Sequence, residues 1–348
     1  MLGFYISLPF LLFAIYRLAI VLINYYTRPF LPVGAPKETP LVSVLVYAQN
    51  SEKNIGQLIQ DLRNQTYQNL EVLIYNDQSN DKTVDAIAEF SGGDKRFRLF
   101  NGNDIQSGWQ RKNYAYDKLA QLAKGQYFIF IDENFIPDNQ FIANAVSNMQ
   151  DKNLSLLAIY PKRHSQGFWE RIQVSASHWL FFSLVSTKSF LKNRAGEINI
   201  LDSSLLVFET NTYQLGKWYE KFKGVENPEH SIVLSVKDQN KRFELLLGDN
   251  CLTYHHPKGN TTQLVDKFEG LVKTRNWRIV FSIALVVSPF MIVFLMPFPL
   301  VFLYFISIIY GQMLISVLCQ ESVLLKLLLL PVQYTVLSIS LIKSNLKK

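Results

Sequence analysis

Cysteine is scarce in this chain. Only Cys251 and Cys319 occur among 348 residues. They lie far apart, and Cys319 falls inside an apolar run, so neither a disulfide framework nor a zinc motif is written here. The first residues lack the basic start and the small-residue cleavage site of a removable leader. No basic helix and no RNA-binding signature accompanies the net charge of +7, so the charge does not point to nucleic acid. Internal repeats and low-complexity segments are absent as well.

Apolar sequence is abundant, at 49% of residues, and unevenly spread. Residues 4–26 form one apolar stretch, broken only by Arg17. Residues 279–342 form a second, with Glu321 and Lys326 as its only charges. Roughly 20 apolar residues cross a bilayer. The first stretch therefore predicts an uncleaved transmembrane anchor over residues 1–27. The second predicts about three C-terminal transmembrane segments, divided near Met296-Pro297-Phe298-Pro299 and Cys319-Gln320-Glu321-Ser322. Arg28, Lys37, Lys273, Arg275, Arg278, Lys343, Lys347 and Lys348 flank these stretches. The positive-inside rule then places the middle of the chain on the cytoplasmic side of a multi-pass inner-membrane protein. Four crossings would put the basic tail, residues 343–348, on the opposite side, so span count and charge rule conflict.

The proline-rich residues 28–40 read as a linker. Strand and helix patterns alternate after it. Strands are expected at 41–48, 70–75, 97–100, 127–131 and 154–160. Helices are expected from Ile55, Leu58, Ile59 and Leu62, and at 83–90, 111–124 and 138–150, with Gly125 as a stop. Such alternation predicts an α/β domain over residues 41–260, built on a doubly wound, mostly parallel sheet. Ligands of these sheets bind beyond the strand C-termini. Polar residues follow three strands there: Gln49-Asn50-Ser51-Glu52, Asn76-Asp77-Gln78-Ser79-Asn80-Asp81 and Asp132-Glu133-Asn134. Residues 261–278 read as an interfacial segment with Trp277 in an aromatic belt. The aromatic run from Phe168 to Phe182 reads equally as core or as a membrane-surface element. His255 and His256 point to opposite faces of a strand, which argues against joint metal ligation.

With these motifs in order, the chain resembles the family 2 glycosyltransferases of GT-A fold, membrane-bound bacterial type. The resemblance rests on Val42–Asn50, on Gln65-Thr66-Tyr67, on the Asp-x-Ser-x-Asp-x-Thr pattern from Asp77 to Thr83, on Gly108–Asn113 and on Phe130–Asn134. It implies a Rossmann-like GT-A domain flanked by transmembrane helices. It also implies transfer of a sugar from a nucleotide-sugar to a lipid-linked or surface-glycan acceptor, with inversion. Ala48, Asn50, Asp77, Lys112, Asp132 and Arg275 would then bind the nucleotide-sugar. Asp132, Glu133 and Asn134 would hold Mg²⁺ or Mn²⁺, since hard cations take oxygen ligands. His230 stands where the resembled pattern has its general base, and Glu229 precedes it. Tyr47, Ser51, Asn76, Asn134 and His230 replace residues usual in that pattern. A second reading follows from those replacements: a GT-A-like membrane binding or scaffold protein without turnover.

Overall fold

The computed structural model describes residues 2–27, 29–164, 167–184, 186, 204–248, 251–255 and 286–346. The chain divides into two units, one of Phe30–His164 with Leu201–Pro257, the other of Met1–Pro29, Ser165–Ile200 and Lys258–Lys348.

The first unit is built on a seven-stranded sheet. Its strands are β1 (Val42–Ala48), β2 (Leu70–Asn76), β3 (Phe97–Asn101), β4 (Tyr127–Asp132), β6 (Leu156–Tyr160), β8 (Leu205–Glu209) and β9 (Phe243–Leu247). Their order is β3-β2-β1-β4-β8-β6-β9. The first four are mutually parallel, whereas β8 runs antiparallel to β4 and to β6. Val42, Val44, Leu45 and Val46 are all at most 1% exposed, so β1 is covered on both faces. A strand buried on both sides reads as a continuous apolar run, which is what its sequence shows. Helix α2 (Ile55–Arg63) buries Ile55, Leu58, Ile59 and Leu62, the residues of its helical stripe. A second sheet joins β5 (Phe135–Pro137), β10 (Leu252–His255) and β7 (Lys162–His164) in the order β5-β10-β7.

Register places the site. Ala48 pairs with Asn76, Asn76 with Asn101, and Tyr47 with Asp132. The C-terminal ends of β1 to β4 therefore form one level edge.

Three local devices hold the sheet unit together. Gln65 Nε2 donates to the Asp138 carbonyl, its Oε1 accepts from the Ile142 N–H, and Tyr67 donates to the Pro40 carbonyl. Gln65-Thr66-Tyr67 is thus a clamp that seats helix α5 (Phe141–Lys152). Gly125 was expected to stop a helix, but α4 (Arg111–Leu122) has already ended. A Cβ at Gly125 would lie 2.5 Å from the Ser43 backbone nitrogen, so close approach to β1 is what requires glycine. The proline-rich residues 30–40 belong to the sheet unit. Leu31 is buried and donates its N–H to the Leu247 carbonyl, while Gly34, Lys37 and Glu38 donate theirs to Asn144 and Gln150.

The second unit is helical. It contains α1 (Leu2–Thr27), α6 (Phe168–Leu184), α10 (Val286–Leu295), α11 (Phe298–Leu318), α12 (Val323–Leu328) and α13 (Leu330–Leu346). Helix α6 follows β7 in sequence but packs with α1, α11 and α13. Gly3–Thr27 and Phe298–Leu318 are long and apolar enough to cross a membrane. Arg28, His256, Lys273, Arg275, Trp277, Arg278, Lys347 and Lys348 lie outside the described residues, as does the expected interfacial segment.

Candidate functional site

The loop after β1 and the loop after β2 are laced together. Asn50 has a left-handed backbone, φ 49°. Its N–H donates to Ser79 Oγ, and its Oδ1 accepts from the Asn80 N–H. The Ser51 N–H donates to Thr83 Oγ1 at 2.7 Å, and the Glu52 N–H donates to Asp81 Oδ2. Asp81 Oδ1 accepts from the Thr83 N–H, at the start of α3 (Thr83–Ser91). Ser79, Asp81 and Thr83 therefore build the two loops, and Asp77 alone of that pattern faces the site.

Asp77 is fully buried, and its N–H donates to the Ala48 carbonyl. Its Oδ1 accepts from Arg111 Nη1 at 2.9 Å and its Oδ2 from the Tyr47 hydroxyl at 2.9 Å. Burial and then the Asp77 charge push the Tyr47 phenol above its usual range, so it stays a donor. Asn76 Nδ2 donates to Asn101 Oδ1, which ties β2 to β3.

Helix α4 begins at this edge and brings two cations. Arg111 meets Asp77, and Lys112 Nζ lies 2.7 Å from Asp132 Oδ2. Burial works most strongly against the Lys112 ammonium, but Asp132, Tyr116 and Glu229 together outweigh it and hold the group charged well above its usual range. The start of α4 is fixed by Asn113, whose Nδ2 donates to the carbonyls of Phe222 and Val225.

Asp132 Oδ1 accepts from the Asn134 N–H. Asn134 Nδ2 approaches Glu133 Oε1 at 3.4 Å, and the Asn134 carbonyl accepts from the His255 N–H. Burial, then the neighbouring Asp132 charge, pushes the Glu133 carboxyl up to about 8. Glu133 Oε2 is buried and has no hydrogen-bond partner among the described residues. An orphaned buried carboxylate oxygen beside a second carboxylate and an amide oxygen is a donor set that fits a hard divalent cation.

Glu229 and His230 open helix α9 (Glu229–Asp238) and are both buried. The Glu229 charge acts on Lys112, Tyr116 and Tyr219, which brings it to the acid cluster. Ala48, Asn50, Asp77, Lys112, Asp132, Glu133 and Asn134 all lie on or beside the β1–β4 edge. Arg275 lies outside the described residues.

Arg111, which precedes Lys112 in the sequence, supplies the cation that meets Asp77. One residue escaped the sequence reading. His164, on β7, pairs across strands with His255, and their rings stack with centroids 4.9 Å apart. Nothing local in the sequence announces a cross-strand pair so distant along the chain.

Residues 43–211 match the family model described as Glycosyl transferase family 2. A glycosyltransferase of Haemophilus influenzae is 45% identical over 115 residues, 32% of this chain and 33% of that protein. The Escherichia coli UDP-Glc:alpha-D-GlcNAc-diphosphoundecaprenol beta-1,3-glucosyltransferase WfaP is 30% identical over 108 residues, 31% of this chain and 39% of that protein. The matched stretch spans about a third of the length of such curated relatives. Among solved structures, the mannosyltransferase PcManGT of Pyrobaculum calidifontis, in complex with GDP-Man and Mn²⁺, has a TM-score of 0.51 at 15% identity. That likeness covers 97% of this chain and 98% of that one, and it shows the shared GT-A fold.

Proposed function

The chain belongs to the family 2 glycosyltransferases, and from that premise we propose that it transfers a sugar from a nucleotide-sugar to a lipid-linked acceptor at a membrane, with inversion. The observation that carries this reading is the single edge on which Asp77 with Arg111, and Asp132 with Lys112, stand side by side. Asp77 offers an acceptor to the nucleoside, and the Tyr47 hydroxyl, by donating to Asp77 Oδ2, orients it. Asp132, Glu133 and Asn134 would hold a divalent cation, which when bound neutralises charge on the diphosphate leaving group. The Lys112 ammonium, beside Asp132, answers phosphate charge as a point cation.

Inversion requires a base for the acceptor hydroxyl. Glu229, whose charge acts on Lys112, is one candidate. His230, next to it in α9, is the other. The acceptor class follows from the two helices long enough to span a bilayer, and from relatives whose names specify diphosphoundecaprenol or undecaprenol substrates. We place the sheet unit on the cytoplasmic side, where nucleotide-sugars are made, and treat the apolar helices as multi-pass anchors.

The test is transfer from radiolabelled UDP- or GDP-sugars to membrane lipid extracts by the purified full chain. A labelled lipid product, lost in Glu229→Gln but not through loss of donor affinity, is expected. Donor binding with no product from any sugar or extract would favour the non-catalytic reading.

A further inference from the structure

The turn between α11 and α12 is built to hold side chains in place. Gln320 takes a left-handed backbone, φ 52°, which costs a residue other than glycine roughly 1–2 kcal/mol. Its N–H donates to the Val317 carbonyl, and the Glu321 N–H donates to the Ser316 carbonyl, the paired bonds of a Schellman motif. Ser322 then caps α12, its Oγ accepting from the Leu325 N–H. This turn fixes Cys319 and Glu321 before α12 opens, and Lys326 within it.

Helix α6 brings His178 to the same place. His178 is 4% exposed, and its Nδ1 lies 3.2 Å from Glu321 Oε1, although the two are 143 residues apart in sequence. Phe182, one turn along α6, meets its ring edge-on. His178, Cys319 and Glu321 each offer one donor atom, and the three atoms lie within 4.8 Å of one another. Glu321 uses its oxygens differently: Oε2 meets the Lys326 ammonium, and Oε1 faces His178. A metal-ligating carboxylate is commonly held this way by a partner on its outer oxygen. With no ion bound, Lys326 neutralises Glu321 and keeps it in position.

An ion pair of Glu321 and Lys326 with an imidazole beside it would be complete without sulfur. Cys319 adds a soft donor to the nitrogen and the oxygen. Sulfur is foreign to a Mg²⁺ or Ca²⁺ site, whereas thiolate, imidazole and carboxylate together suit Zn²⁺. Nitrogen and oxygen ligands about 2.0–2.1 Å from a tetrahedral zinc stand about 3.3 Å apart. The His178 Nδ1 to Glu321 Oε1 separation of 3.2 Å is close to that. The Cys319 thiolate and the Glu321 carboxylate neutralise a dication, and its binding displaces the thiol proton and the His178–Glu321 hydrogen bond. Three protein donors leave the fourth position to water.

We propose that His178, Cys319 and Glu321 form a Zn²⁺ site that ties α6 to the turn between α11 and α12. Sequence spacing does not announce it, because one ligand comes from a distant helix. Its donor set differs from the oxygens of Asp132, Glu133 and Asn134, and it stands whether or not the proposed transfer does.

The tag-free full chain in detergent micelles, stripped of metal by a chelator, provides the test. Loaded with Co²⁺ as a stand-in for Zn²⁺, it should show the near-ultraviolet absorption of a cobalt–thiolate bond, which Zn²⁺ but not Mg²⁺ should abolish. Cys319→Ser should lose that absorption, and Cys251→Ser should keep it. His178→Gln and Glu321→Gln should each weaken Zn²⁺ by about tenfold or more in competition with a chromophoric chelator, since even the outer partners of a metal are worth that much. Bound Zn²⁺ should raise the melting temperature of the parent chain more than that of Cys319→Ser. Far-ultraviolet circular dichroism reports whether each variant keeps its helices. No cobalt–thiolate absorption in the parent chain would overturn the proposal, whatever the variants do. So would absorption that survives Cys319→Ser, or Zn²⁺ affinity unchanged in His178→Gln.

Discussion

Replacing Lys112 with glutamine removes the ammonium that lies 2.7 Å from Asp132 Oδ2. The Asp132 side chain is 7% exposed and that of Lys112 is 31% exposed. A hydrogen bond to a charged partner contributes about 1.5–3 kcal/mol when buried. With a third of the lysine in water the contribution falls toward the surface value, so about 1–2 kcal/mol is the expected loss. In a domain of this size that lowers the melting temperature by roughly 2–8 °C. Stability alone would not separate a structural pair from a functional one, so Mn²⁺ binding is the decisive assay. Lys112 competes with a dication for the Asp132 carboxylate. Lys112→Gln should therefore bind Mn²⁺ more tightly than the parent chain when no nucleotide is present, by calorimetry or by the electron paramagnetic resonance signal of free Mn²⁺. In the same variant, nucleotide-sugar affinity without metal should fall, because the point cation facing the diphosphate is gone. Unchanged or weaker Mn²⁺ binding in Lys112→Gln would refute the placement of the metal at Asp132.

Further outcomes follow from the same geometry. Asp77→Asn keeps the volume of a fully buried side chain but removes the charge that meets Arg111 and Tyr47, so nucleotide-sugar affinity should drop by about tenfold in calorimetry. The Glu133 carboxyl, pushed up to about 8, must lose its proton to bind a cation, so Mn²⁺ affinity should rise by about tenfold per pH unit below pH 8 and level off above it. Glu133→Gln should flatten that slope. The sign for the metal-free domain is opposite: an acid whose folded value lies above its ordinary value of 4.5 favours folding at low pH, and that stability is lost as pH rises through about 8. Gly125→Ala should cost about 1–3 kcal/mol by thermal melting, because its Cβ meets the Ser43 backbone.

Much of this was legible in the sequence because period and position carry it. The strands β1, β2 and β4 are apolar runs closed by polar residues, and register then aligns their ends without further information. The roles of individual polar residues were less legible. Gln65, Ser79, Asp81 and Thr83 stand out as a motif, yet their side chains are spent on backbone groups that hold loops and helix starts. A motif match reports that a residue type is required, not whether a ligand or a neighbouring N–H requires it. The reversal of β8 was invisible, since a buried strand reads alike in either direction. Helix α6 was undecidable from its aromatic run alone, because a stripe of Trp179, Phe181 and Phe182 suits a soluble core and an apolar helical bundle equally. Its contacts with α1, α11 and α13 come from the fold. The cations Arg111 and Lys112 were visible as a pair, but their division between Asp77 and Asp132 depends on where α4 meets the sheet.

The central claim is that the β1–β4 edge binds a nucleotide-sugar through Asp77 and Asp132. Calorimetric titration of the purified full chain with UDP- and GDP-sugars, with and without Mn²⁺, against the Asp132→Ala variant, tests it most directly. The account predicts binding of at least one nucleotide-sugar, strengthened by Mn²⁺, and its loss in Asp132→Ala. Binding that survives Asp132→Ala undiminished, or no binding of any nucleotide-sugar by the parent chain, would contradict it.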